Sequence, residues 1–216
     1  MTCSPAKTAP ASFGLMAGCL VLSASAAWAE RATSGRVIKC EQEAFSRYAN
    51  HTDLVKAFGS DNVVDQQIDD AQGGKIKATV LYPDDPKARL EFIWSDEEER
   101  RRPAIIRAKD QSAWATSNGI RIGMGLTEVE KINGKPYKLS GFDWDYGGRV
   151  TDWQGGKLAK PQRGGCMLGI EFVHSEDAPE ANLTKVSGDS QFRSDNADMR
   201  AVEPYVGVVT ISYPKR

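Results

Sequence analysis

Two segments 75 positions apart constrain this chain more than any other feature. "TDLVKAFG" (residues 52–59) and "TEVEKING" (residues 127–134) match position by position: Thr52 with Thr127, Asp53 with Glu128, Leu54 with Val129, Lys56 with Lys131, Ala57 with Ile132 and Gly59 with Gly134. A second phrase follows each, "GGKI" from Gly73 and "GGRV" from Gly147. Two matches in one order at nearly one offset predict an internal duplication.

Each copy reads as a short helix followed by strands. Thr52 and Thr127 are the expected N-caps, since a hydroxyl can accept from an orphan amide of the first turn. Thr127 and Glu130 have capping-box spacing. Gly59 and Gly134 can take the left-handed conformation that ends a helix. Strands are expected at "KIKATVLYP", "ARLEFIW" and "AIIRAK", and again at "RVTDW", "MLGIEFVH" and "VGVVTISYP". "DDPK" is a turn between two of them. The run "SDEEERRRP" reads as a solvated connection, and residues 175–203 as an irregular segment with a short strand near Phe192. "CEQEAFSRYAN" adds an expected helix with Ala44, Phe45 and Tyr48 on one side. Helix then strand meander, twice, is an α+β plan: antiparallel sheet covered by helices on one face, the other face left open. The expected units span residues 30–115 and 116–216.

Ahead of them, residues 1–29 read as a secretory signal peptide. One base, Lys7, precedes an apolar run, and the triplet Ala27, Trp28, Ala29 places cleavage before Glu30. The run is too short for a membrane span, and no later stretch is apolar enough, so the mature chain is expected to have no transmembrane span. Cys19, after "LMAG", offers an alternative start as a lipid-anchored protein. The leader predicts a periplasmic or secreted location.

Charge is nearly balanced, with 28 Lys and Arg against 29 Asp and Glu, which removes the electrostatic footprint of a nucleic-acid binder. The mature chain keeps Cys40 and Cys166. In an oxidising compartment they read as a disulfide, with two buried thiols as the other reading. No nucleophile elbow, zinc-protease helix or phosphate loop is present, and none of the glycine pairs leads from a strand into a helix. The expectation is a non-enzymatic protein without a cofactor or metal.

The most unusual stretch is "SGFDWDYGGRVTDWQGG", residues 140–156. If residues 142–146 are extended, Phe142, Trp144 and Tyr146 share one face, and Asp143 and Asp145 the other. Two readings stand open. The aromatics are core and the aspartates solvated, or the aromatics are surface anchors for a partner, joined by Trp153. The corresponding segment of the first copy, "DDAQ", has no aromatic, which favours the surface. Asp143 and Asp145 join the aromatics as candidate binding residues; two carboxylates on one strand face fall short of the roughly six to eight oxygens calcium takes. With His174 they are the residues a hydrolase would draw on.

The stretch "GIRIGMGLTEVEKINGKP", residues 119–136, resembles the helix entry of the SmpA/OmlA outer-membrane-assembly lipoproteins. The tandem of helix-plus-sheet units is similar to the β-lactamase-inhibitor-protein family, whose two repeats form a concave, aromatic-lined surface. Both resemblances imply a small envelope or secreted binding module. Its partner would be a protein or a cell-envelope component. A structural envelope lipoprotein is the alternative, and a hydrolase a further one.

Overall fold

The computed structural model describes residues 36–70 and 73–214. The leader, Cys19 and the Ala29–Glu30 junction lie outside the described residues.

The first matched segment forms helix α1 (His51–Phe58) and the second forms helix α2 (Leu126–Asn133), each eight residues long. Both stop at a glycine with positive φ: Gly59 at 84° and Gly134 at 83°. Their starts correct the expected caps. Asn50 caps α1, its side chain accepting from the Asp53 N–H at 3.1 Å while Asp53 accepts from the Asn50 N–H at 3.0 Å. Gly125 opens α2, and the Glu128 carboxylate accepts its N–H at 3.0 Å. Thr52 and Thr127 therefore sit inside the first turn. A carboxylate three residues past the cap competes for the terminal amide, and it fixes the boundary two residues earlier than the threonines imply.

Six antiparallel strands form the main sheet. β2 (Val63–Asp69), β3 (Lys75–Leu81), β4 (Leu90–Asp96) and β5 (Arg101–Lys109) follow in sequence order. β11 (Tyr205–Ser212) then pairs with β5, and β9 (Met167–Val173) pairs with β11. β7 (Lys138–Ser140) lies between β8 (Val150–Asp152) and β10 (Gln191–Arg193) in a three-stranded sheet. An antiparallel bridge between Arg149 and Glu171 joins that sheet to β9. Outward from the central β5–β11 pair, the order is β4, β3, β2 on one side and β9, β8, β7 on the other. β2 and β7 start 75 residues apart, as do β3 and β8, and each glycine phrase turns one of these two hairpins. A parallel pair, β1 (Val37–Ile38) with β6 (Ala115–Thr116), completes the strands; the unit boundary expected after Ala115 falls within β6.

Segments read as irregular hold more structure than their composition implies. Residues 175–203 contain helix α3 (Glu180–Val186), β10 and helix α4 (Ala197–Ala201). These are ordered by burial of Val186 and Met199 rather than by long apolar periodicity. Residues 40–50, expected to be a helix, form only a 3₁₀ turn (Glu43–Phe45). Ala44 and Phe45 are buried and Tyr48 is exposed.

One hydrophobic cluster runs through both halves and takes residues from all four described helices: Leu54, Val129, Val186 and Met199 are examples. Its sheet side includes Phe92, Ile106, Ala108, Ile170, Phe172, Val209 and Ile211. Phe45 packs against Phe92 and Trp114, at 6.2 and 5.6 Å between ring centroids. Tyr137 does the same with Trp153 and Phe172, at 5.3 and 6.0 Å. Each such side chain contributes roughly 1.5–3 kcal/mol by leaving water. Cys40 and Cys166 form a buried disulfide with Cα atoms 6.2 Å apart, tying the segment after β1 to the residue before β9. Disulfides persist in oxidising compartments. Among the described residues, no helix is long and apolar enough to cross a membrane.

Candidate binding face

Strand residues alternate between faces, so those between the core positions of β5, β11 and β9 point away from the helices. The pairings set them in rows: Ile105 with Ser212 and Met167, Arg107 with Thr210 and Gly169, Lys109 with Val208 and Glu171. All nine are half-buried, and the described helices contribute nothing to this side. On β2, β3 and β4 the same face carries a small separate cluster of Ile68, Ala78 and Val80, with Ile76 and Ile93 against it.

Charged groups cross this floor. Glu91 is 1% exposed, and its carboxylate accepts from Arg107 Nε at 2.6 Å and Arg89 Nη2 at 3.0 Å. Arg107 Nη2 also donates to the Asp69 carbonyl at 2.8 Å, so the end of the β2–β3 hairpin leans over the floor. On the far side, burial raises the Glu171 carboxyl above its ordinary range, with Arg149 and Arg107 opposing the shift. The Arg149 guanidinium lies 5.2 Å from the centroid of the Tyr146 ring. Tyr146 meets Trp144 edge to face at 5.6 Å. The floor thus runs from Arg107 through Glu171 and Arg149 to an aromatic pair at its rim.

The loop bearing that pair is not the extended strand the alternation predicts. The Phe142 backbone bonds sideways, its N–H to the Val186 carbonyl at 2.9 Å and its carbonyl to the Gly188 N–H at 2.8 Å. Asp143 then takes a positive φ of 61°, and residues 143–148 turn. The expected common face is broken as a result. Phe142 is 3% exposed, edge-on to His174 at 5.5 Å. Trp153 is 9% exposed and packs on Tyr137 in the core. Trp144 and Tyr146 are 38% and 42% exposed. Trp144 is nonetheless held, its Nε1–H donating to the Gly141 carbonyl at 3.0 Å. Ser140 Oγ pins the base of the loop by donating to the Tyr146 carbonyl and accepting from the Arg149 N–H.

The two aspartates also part. Asp145 is exposed. Asp143 accepts from Ser187 Oγ at 2.8 Å and lies 3.5 Å from His174 Nε2. The single Ser187 hydroxyl proton is shared between Asp143 and the Leu183 carbonyl, with no bond to His174, so the trio lacks a nucleophile–base contact. It fastens the aromatic loop to the end of α3. Among the described residues, no cluster of His, Cys, Asp and Glu could hold a metal ion. A recess of about 500 Å³ opens elsewhere, between the β2–β3 hairpin and the β4–β5 turn. It is lined by Asp65, Lys77, Glu98 and Arg100 and by no aromatic.

Motif and spacing do not single out Arg107, Arg149 or Glu171. For Arg107 and Glu171 the signal in the sequence is a charged residue inside an apolar strand, in "AIIRAK" and "GIEFVH", which marks a face that is not core. The chain matches no protein-family model, no curated protein and no solved structure to a significant degree.

Proposed function

We propose that this is an exported, non-catalytic binding module of two similar units. It recognises another protein through the helix-free face, with Trp144 and Tyr146 as anchors. The observation that carries the reading is the aromatic pair itself, exposed at the rim yet fixed by backbone hydrogen bonds and by Arg149. A pre-ordered aromatic loses little conformational freedom on binding, and such residues dominate interface energetics. The half-buried floor beside it supplies one largely apolar row, Ile105 with Ser212 and Met167, and two rows that carry charge, for the surrounding contact. An inhibitor of a secreted enzyme is one form such a module takes. The leader and the disulfide support an oxidising compartment outside the cytoplasm, periplasmic or extracellular.

The test uses the mature protein immobilised in an extract of its own cell envelope and medium. A discrete protein should be retained by the wild type and lost on W144A/Y146A at unchanged folding. Equal retention by both would refute this assignment of the face.

A further inference from the structure

β2 is the outermost strand of the six-stranded sheet, and its pairing with β3 runs from Val63–Leu81 to Asp69–Lys75 without a shift. Natural sheets blunt such an edge with charge, above all lysine, with proline or with a bulge. "VVDQQID" has no lysine, proline or bulge, and its two aspartates are ion-paired within the chain, Asp65 with Arg100 and Asp69 with Lys75.

The direction of the free backbone groups follows from the ladder ends. Tyr82 donates its N–H to the Asn62 carbonyl at 2.8 Å, and Asp70 donates to the Gly74 carbonyl at 3.1 Å. Closely bonded pairs alternate along an antiparallel ladder, so the even residues of β2 face β3 and the odd ones point outward. Among the described residues, no hydrogen bond reaches the N–H or C=O of Asp65 or Gln67.

We propose that β2 pairs antiparallel with β2 of a second copy, centred on Gln66, to form a two-fold symmetric dimer. Outward-facing residues must oppose one another, which leaves three central registers, on Asp65, Gln66 or Gln67. Centring on Asp65 sets that carboxylate opposite its own mate, and centring on Gln67 sets Asp65 opposite Asp69 of the second copy; both are destabilising. Centring on Gln66 sets Asp65 opposite Gln67 of the second copy, twice, and satisfies all four sets of free groups. Val64, 38% exposed, then meets Ile68 of the second copy, and Gln66 meets its own symmetry mate. The charges of the strand are already matched within each copy, Asp65 by Arg100 and Asp69 by Lys75, so they do not oppose approach. Paired residues in a sheet share a face, so both helix-free faces lie on one side of the joined sheet. The interface is isologous and closed.

Sedimentation velocity of the disulfide-intact protein over a rising concentration series tests this. The mass should climb from monomer toward dimer, whereas Q67P should stay monomeric. The N–H removed by Q67P points away from β3, so the variant keeps its ladder and its thermal midpoint. Under mild oxidation Q66C should cross-link to a dimer, because residues on the two-fold face each other; V64C should not. Cys40 and Cys166 are buried and stay paired with each other. A wild type that is monomeric throughout, a Q67P dimer, or equal cross-linking of V64C and Q66C would each overturn the proposal. The Q66C and V64C contrast decides alone if Q67P does not fold. None of these results bears on partner binding through Trp144, so the two proposals fail separately.

Discussion

Trp144 and Tyr146 meet edge to face with ring centroids 5.6 Å apart, outside the core into which Phe142 turns only two residues earlier. The division is made by backbone. Phe142 is bonded to the end of α3, Asp143 reverses the chain at positive φ, and Ser140 closes the loop beneath. One aromatic run is therefore divided, buried at its start and exposed at its end.

The two glycine phrases should tolerate change very differently. At Gly148 (φ 68°) an added Cβ would lie 1.9 Å from the Phe172 carbonyl oxygen, whose residue also donates its N–H to the Gly148 carbonyl. At Gly73 (φ 79°) an added Cβ meets nothing within 4 Å. Equilibrium urea unfolding should show G73A losing about 1–2 kcal/mol, the left-handed backbone cost alone. G148A should lose more than about 3 kcal/mol, because strand β9 must move as well.

Glu91 should be the most sensitive carboxylate in the sheet. E91A strands the Arg107 guanidinium on a half-buried face and should cost about 3–5 kcal/mol in the same unfolding experiment. Adding R107A should recover part of that loss, since the pair is coupled. Simple additivity would show that Arg107 finds enough compensation at the Asp69 carbonyl.

The disulfide closes a separation of 126 residues between buried cysteines. C40A/C166A should lower stability by about 2–5 kcal/mol, read as a shift in urea midpoint. Reductant should leave the native protein oxidised until it unfolds. Rapid labelling of free thiols under native conditions would contradict the burial.

Glu171 gives the pH dependence a defined sign. Its folded carboxyl titrates above the ordinary value of 4.5 because burial disfavours the charge. The folded state therefore holds this proton where the unfolded chain has released it. The resulting stabilisation is complete below 4.5 and is lost as pH rises through the raised folded value. E171Q should thus be more stable than the wild type at pH 7, by up to about 1 kcal/mol given solvent screening. The difference should vanish in acid. Thermal melts across pH measure both.

Much of this fold was legible because it is written in local rules. The matched helices, their closing glycines, most of the strands and the pairing of Cys40 with Cys166 follow from periodicity, turn chemistry and compartment. The helix starts were not, because Asn50 and Glu128 outcompeted the threonines for the terminal amides. Helices α3 and α4 escaped because a single buried side chain orders each short turn. Trp153, grouped with the surface aromatics in one of the two readings of residues 140–156, follows β8 and packs against Tyr137. The charged rows of Arg107, Glu171 and Arg149 emerge only once three strands distant in sequence are in register.

Thermal and urea unfolding of W144A/Y146A beside F142A tests most directly whether the aromatic pair is held for a partner rather than for the fold. The account predicts a loss of about 1 kcal/mol or less for the double variant. For F142A it predicts about 3–5 kcal/mol, the cost of a cavity in the core. Destabilisation of W144A/Y146A equal to that of F142A would place both rings in the core and contradict it.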